Sequence, residues 1–354
     1  MAKLAQRSGG ELNKGIKTKS FTPQQAQSWR IVGLIPAALG SYFNCAEFAA
    51  YLRGKGYQPH QGLNIKQLKE EFDAWKKENK SVQEYLDIIY PLDQRDSVKN
   101  LYIASTNFVG SLDCRDFVNL KKLNFFSNQF TNLDLTNCNK LARIYCYTNN
   151  LQAIILPKQV EKLTILHMQN NNLAEQDLSI FSKLVNLESL WIGNNNQERI
   201  SQGVYDRFSG SLEPLQNLTK LKELDINSTD INRGLEYLPE SIENFCCSAK
   251  WREGAKCQIL EQELRKHGEP RYFNFINSLQ SWRKANSELV ETARLLNNLN
   301  LALTGQNISN ELTQQALSIV KFELEEKVIE LRKGQTAQII QKETYGLPSS
   351  SKNN

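Results

Sequence analysis

The sequence predicts an α/β solenoid, in which short repeated units stack and each contributes one strand to a parallel sheet. Two observations lead to this prediction. A pattern of the form L-x-x-L-x-L-x-x-N-x-L recurs through the middle of the chain, and its fourth position returns after 22, 21, 22, 24, 34 and 21 residues. On both sides of this region, apolar residues follow helical spacing instead. One repeat cannot bury its own apolar side chains, so neighbouring repeats must stack into a continuous core.

Two neighbouring segments match the pattern best. Residues 120–130 read L-K-K-L-N-F-F-S-N-Q-F, and residues 141–151 read L-A-R-I-Y-C-Y-T-N-N-L. The fourth-position residues of the seven repeats are Leu101, Leu123, Ile144, Leu166, Leu190, Leu224 and Phe245. The central L-x-L predicts a short strand, because alternate strand residues face the same side. We expect one curved parallel sheet with no strands outside it, and an insertion near residues 197–211 that accounts for the step of 34.

The pattern resembles the leucine-rich repeat family closely over residues 98–248. The resemblance implies a leucine-rich repeat horseshoe with the parallel sheet on its concave side and a role in recognition. It also implies that the pattern asparagine bonds the backbone of adjacent turns, so we interpret a set of polar residues as structural: Asn128, Asn149, Asn171 and Asn195, with Thr106 and Thr229 as partial substitutes. The wording of the repeats resembles uncharacterised intracellular proteins of fungal type.

The flanking regions are predicted to be mainly helical. We divide the chain into a disordered basic arm (1–20), a small helical domain (21–79), an N-terminal cap helix (80–97), the repeats (98–248), a helical region (249–345) and a disordered tail (346–354). Amphipathic spacing over about 273–302 and 309–341 predicts a hairpin of two long helices. This hairpin either caps the solenoid or mediates self-association through residues 273–341, and the sequence leaves both alternatives open.

Composition and motifs argue against several functions. The net charge of +5 comes from dispersed basic residues, which does not favour nucleic-acid binding. No apolar run is long enough for a membrane span, and the first residues lack the apolar segment of a secretory signal. The three histidines, His60, His167 and His267, do not stand at metal-ligand spacing with cysteines. We therefore expect no enzyme, metal or cofactor, and a cytoplasmic or nuclear location in which the seven cysteines stay reduced.

The outward positions of the predicted strands carry the candidate binding site. Adjacent strands lie about 4.8 Å apart, so five aromatic residues should form one exposed aromatic patch: Tyr102, Phe126, Tyr145, Tyr147 and Trp191. Lys122 and Arg143 border it, and Glu223 and Asp225 lie toward the other end. The predicted partner-binding residues are Tyr102, Lys122, Phe126, Arg143, Tyr145, Tyr147, His167 and Trp191. Two alternatives remain, namely that aromatic residues merely favour strands and that a flanking domain covers the patch.

Two functions compete at this stage. The first is a non-catalytic intracellular adaptor or scaffold that binds a protein partner on its concave face. The second is a regulatory or specificity subunit of an enzyme such as a phosphatase or a ubiquitin ligase, since related leucine-rich repeat proteins serve in both ways. The resemblance implies recognition without naming the partner.

Overall fold

The computed structural model describes Tyr51 and residues 65–77, 82–305 and 311–345. The chain forms two compact units. The first unit holds Met1–Glu175 and Asn186–Arg207, and the second holds Gln176–Val185 and Phe208–Asn354. The predicted basic arm, most of the predicted small helical domain and the predicted C-terminal tail lie outside the described residues.

Short strands make up the middle of the described chain, and helices lie before and after them. The strands are β1 Asn100–Tyr102, β2 Val109–Asp113, β3 Lys122–Asn124, β4 Gln129–Asp134, β5 Arg143–Tyr145, β6 Ala153–Ile155, β7 Ile165–His167, β8 Ser189–Trp191, β9 Ser209–Ser211, β10 Glu223–Asp225, β11 Asp230–Arg233 and β12 Asn244–Cys246. The α-helices are α1 Ile65–Lys77, α2 Val82–Ile89, α3 Gln197–Ser201, α4 Gln258–Arg265, α5 Ile276–Ala285, α6 Ser287–Gly305 and α7 Glu311–Tyr345.

The pattern strands form the predicted parallel sheet. In the first unit β1, β3, β5, β7 and β8 pair in that order, and each anchor residue lies opposite the anchor of the next repeat. Ile144, for example, pairs with Leu123 on one side and Leu166 on the other, and all three are fully buried. In the second unit β10 and β12 pair in the same register. The predicted α/β solenoid of leucine-rich repeats is confirmed.

The expectation of no strands outside this sheet is wrong. In the first unit β2, β4 and β6 form a separate three-stranded parallel sheet, and in the second unit β9 pairs with β11. Leu112 and Leu133 lie opposite each other in the three-stranded sheet and are about 1% exposed. The segment that connects each pattern strand to the next is therefore partly extended as well. It forms strands because stacking places the equivalent connecting segments of successive repeats side by side.

A sharp turn follows five of the seven pattern strands. Residues without glycine's freedom occupy the left-handed region there, with φ between 53° and 59°: Ser105, Ser127, Thr148, Asn170 and Ser228. The next residue is the asparagine or threonine of the pattern. Asn149 is fully buried, donates to the carbonyl oxygens of Phe125 (3.0 Å) and Cys146 (3.1 Å), and accepts from the amide of Phe130. Its side chain thus satisfies backbone groups of two repeats that burial would otherwise leave unpaired.

Asn128 and Asn171 have the same structural role, but the assignment of Asn195 is wrong. Asn195 is exposed, whereas Asn194 is fully buried and exchanges two hydrogen bonds with the backbone of Asp206. The Asp206 carboxylate accepts from the amides of Asn171 (2.8 Å) and Leu173 (3.1 Å), as a pattern asparagine would. The insertion after this repeat folds back and supplies that carboxylate, so the register of the three consecutive asparagines shifts by one.

Helix α2 covers the apolar residues at the start of the first unit. Tyr85 and Leu86 are buried, and the Tyr85 ring lies 4.8 Å from that of Phe108. Arg95 follows in the 3-10 turn Leu92–Ser97; it is 2% exposed, donates to the carbonyl of Tyr90 and pairs with two aspartates. The first repeat therefore does not expose a bare hydrophobic end.

The C-terminal helices pack against the last repeat within the second unit. The amide of Phe275 donates to the carbonyl oxygen of Phe245 (2.8 Å), which continues the hydrogen bonding beyond β12. Leu279 and Trp282 on α5 are buried behind this contact. The predicted single helix over about 273–302 is two helices with a break at Asn286, whose side-chain amide and backbone amide both donate to the carbonyl of Trp282 (2.9 Å).

Candidate partner-binding face

The predicted binding residues lie on the outward positions of the first unit's pattern strands, a surface we call the open face. The register aligns one column across the sheet, from Tyr102 through Asn124, Tyr145 and His167 to Trp191. Two residues further along their repeats lie Phe126, Tyr147 and Gln169. Two residues before the column lie Lys122 and Arg143, which pair with each other in the sheet.

Six aromatic rings form two linked groups on the open face. In one group Phe126 and Tyr147 stack at 4.6 Å with an interplanar angle of 4°, and Tyr102 contacts Phe126 edge to face at 6.2 Å. In the other, His167 and Trp191 stack at 4.2 Å and 8°, and Tyr145 contacts His167 edge to face at 5.2 Å. We call these residues together the six-ring face.

The six-ring face is not part of the core. Tyr102 is 47% exposed, and the other five side chains are half-buried, in contrast to the fully buried anchors beneath them. Burial, followed by the neighbouring phenols of Tyr102 and Tyr145, raises the pKa of Tyr147. The His167 imidazole Nε2 lies 2.8 Å from the Ser189 hydroxyl, and Ser189 is buried at the edge of the group. Ring stacking and this hydrogen bond hold the surface in one arrangement.

Basic side chains border the six-ring face without acidic partners. The Lys122 ammonium lies 5.3 Å from the centre of the Tyr145 ring. Within the part of the chain that the structure describes, no carboxylate forms a salt bridge with Lys122 or Arg143. The open face is therefore positive at this edge. Glu223 and Asp225 lie on β10 in the second unit, where burial raises the pKa of Asp225 to about 6.

Two amides on the open face were not singled out from the sequence. The side-chain oxygens of Asn124 and Gln169 are buried, and neither has a hydrogen-bond partner among the described residues. Gln169 is only 7% exposed and follows Tyr147 in its column, while Asn124 lies between Tyr102 and Tyr145. A signal was present in the sequence, because these amides interrupt the two aromatic columns. Unpaired buried polar atoms cost about 1–3 kcal/mol each.

The side chains that could bind a metal ion are dispersed over the described residues. Among them, no three histidine, cysteine or acidic side chains cluster closely enough to hold a metal ion. The cysteines they include are free thiols, and burial raises the pKa of Cys138 to about 12, so that this thiol stays protonated. Over the same residues, no helix combines the length and hydropathy that crossing a bilayer requires.

The chain was compared with family models, curated proteins and solved structures, and only solved structures show similarity to it. No family model and no curated protein matches the chain. Solved structures with some similarity include internalin C2 of Listeria monocytogenes (21% identity, 44% of this chain and 73% of that one, TM-score 0.30). They also include the LRIM1/APL1C complex (11% identity, 77% and 73%, TM-score 0.33) and the plant peptide hormone receptor RGFR1 in complex with RGF2 (16% identity, 46% and 33%, TM-score 0.27).

The fold assignment therefore rests on the chain's own geometry. Anchors paired in register, left-handed turns and buried asparagines that bridge adjacent turns recur from repeat to repeat. Together they define a solenoid of leucine-rich repeats.

Proposed function

We propose that this protein is a non-catalytic adaptor or scaffold that binds a protein partner on the open face of its first unit. The observation that carries the proposal is the six-ring face, which remains half-exposed above a complete core. Tyrosine and tryptophan are enriched among residues that dominate binding energy, and exposed apolar patches of this kind mark interaction sites. The cytoplasm or the nucleus suits the free thiols, since reducing compartments preserve them.

A pull-down with the full chain tests the proposal. We expect Tyr145→Ala with Trp191→Ala to remove the main partner, as identified by mass spectrometry. Each substitution also removes a ring contact with His167, so we expect a stability loss of about 0.5–1.5 kcal/mol per ring pair in addition to that from the lost buried area, and a chain that still unfolds cooperatively. Thermal melting checks this. The control is Tyr272→Ala, which removes an aromatic side chain that is 91% exposed and lies in the second unit.

The same experiment separates the two candidate functions. One recurrent catalytic subunit among the captured proteins favours a regulatory or specificity subunit, and several unrelated non-enzymes favour a scaffold. A partner that remains bound to the double variant contradicts the proposal, because the open face then cannot be the binding site.

A further inference from the structure

We infer that the partner meets the six-ring face with an extended polypeptide segment that carries acidic side chains. This inference rests on the proposed function and adds the chemistry of the bound segment. Three features of the open face support it independently: its uncompensated charge, the orientation of its rings and its two amides with unpaired oxygens.

The charge of the open face favours an anionic ligand. Lys122 and Arg143 are adjacent across β3 and β5 and have no carboxylate partner among the described residues. No aspartate or glutamate occupies the outward columns of β1, β3, β5, β7 and β8. No negative charge on the open face therefore balances Lys122 and Arg143, and acidic side chains of a partner would provide that negative charge.

Four of the six rings present their edges to a ligand. His167 and Trp191 are paired residues on neighbouring strands, which lie about 4.8 Å apart. Rings that stack at 4.2 Å across this spacing stand side by side, as do Phe126 and Tyr147 at 4.6 Å. Ring edges carry the positive side of the aromatic quadrupole, so they favour carbonyl and carboxylate oxygens.

The two amides with unpaired oxygens match a peptide backbone. Each side-chain amide offers one acceptor and two donors, which complements the donor and acceptor of a peptide group. The last torsions of Asn124 and Gln169 rotate broadly, so either end of the amide can turn toward a ligand. Gln169 is 93% buried with its oxygen unpaired, and it lies beside the stacked rings. A segment that pairs with both amides removes the cost of leaving them unsatisfied.

A single-stranded nucleic acid is also anionic, but it fits this surface less well. Bases bind proteins by stacking on exposed aromatic faces along a continuous basic groove. Here one face of each of Phe126, Tyr147, His167 and Trp191 is already covered by its stacked partner, and two basic side chains do not make a groove. The peptide is therefore the ligand that the geometry favours, and a nucleic acid becomes an outcome of the test.

The test is selection of random twelve-residue peptides displayed on phage, with the full chain as bait. We expect the enriched peptides to carry excess aspartate and glutamate. The best of them, synthesised with a fluorophore, should bind about tenfold or more weakly to the charge-reversed Lys122→Glu with Arg143→Glu. It should bind normally to Lys158→Glu with Lys162→Glu, which reverses two exposed lysines elsewhere in the first unit. Asn124→Ala with Gln169→Ala should weaken it about tenfold.

The outcomes separate this inference from the proposed function. One outcome is that the peptides lose affinity for Tyr145→Ala with Trp191→Ala but bind the charge-reversed variant as tightly as the parent. That result would overturn the inference that the segment is acidic and would leave the open face as the binding site. If no peptide is enriched, the inference that the partner binds through an extended segment is overturned. The pull-down then still tests whether the open face binds the partner. A third outcome is that the parent binds a twenty-residue oligouridine and that Tyr145→Ala with Trp191→Ala abolishes this binding. That result would overturn both the peptide inference and the proposed function, in favour of a nucleic-acid ligand.

Discussion

Thr148 holds a backbone conformation that its side chain disfavours. Its φ of 55° lies in the left-handed region, where β-branched residues are rare, while the equivalent residue of the next repeat is Asn170 at 59°. Asparagine tolerates this region better. We expect Thr148→Asn to raise the free energy of unfolding by about 1 kcal/mol in urea denaturation. Thr148→Val keeps the branched side chain and should give no such gain; a loss of stability in Thr148→Asn would contradict the explanation.

Ile144 tests the register of the core. It is fully buried between Leu123 and Leu166, so Ile144→Ala leaves a cavity that rigid neighbours on two repeats cannot fill. We expect a loss of about 2–5 kcal/mol in the free energy of unfolding. Ile155→Ala is the matched control, since Ile155 is 53% exposed on β6. Equal denaturation midpoints for the parent and Ile144→Ala would show that the anchor position is misassigned.

Asp206 should make stability depend on pH. Burial raises the pKa of its carboxyl from 3.8 to about 7, although two backbone amides favour the ionised form. Between pH 3.8 and about 7, the Asp206 carboxyl is ionised in the unfolded chain and protonated in the folded chain. The free energy of unfolding should therefore fall as pH rises through this window and level off above it.

Asn cannot titrate, so Asp206→Asn should flatten that pH dependence even if its absolute stability is lower. Urea denaturation at several pH values between 4 and 8 measures the slope. Asp96→Asn, at an exposed carboxylate in the turn before β1, serves as the control. An unchanged slope in Asp206→Asn would assign the pH dependence to other groups, including Asp225.

At the scale of elements, the pattern strands were predictable and the outer strands were not. Leu123 and Ile144 belong to a template that fixes both their spacing and the side they face. Leu112 and Leu133 alternate with polar residues in the same way, but the template does not specify the connecting segment, and their pairing depends on how repeats stack. The structural asparagine of the fifth repeat was misassigned to Asn195 for a related reason. Asp206, which bonds Asn194, reaches its position only through the folded insertion.

Among the described side chains of helix α7, apolar residues lie on two sides, and only one of these sides is covered. Val328 is 2% exposed and faces the contact with α6, where Lys327 pairs with Glu288. Ile319 and Phe322 are 60% and 62% exposed. We propose that this second side mediates self-association, one of the two alternatives that the sequence left open, in addition to the packing of α6 and α7 within the second unit.

Substitution tests this proposal better than deletion, since removing residues 273–341 would also uncover the last repeat. We expect the parent to sediment as a dimer and Ile319→Glu with Phe322→Glu to sediment as a monomer with an unchanged thermal midpoint. Both side chains are exposed, so no core volume is lost. A monomeric parent, or a double variant that remains dimeric, would rule out this side of the helix as the contact.

At the scale of the whole chain, the position of the candidate site was predictable and its internal arrangement was not. Outward columns follow from strand alternation, so Tyr145 and Trp191 could be placed on one face from their spacing alone. The stacking of His167 on Trp191 depends on side-chain torsions that only the packed sheet determines. The same holds for the unpaired oxygens of Asn124 and Gln169, which no spacing rule predicts.

The most direct test of the central claim is site-specific photocrosslinking of the captured partner. A benzophenone side chain replaces Tyr145 on the open face in one variant and Ile155 on the three-stranded sheet in another. We predict a crosslinked adduct with the partner from position 145 and none from position 155. An adduct that forms from position 155 and not from position 145 would contradict the claim that the open face binds the partner.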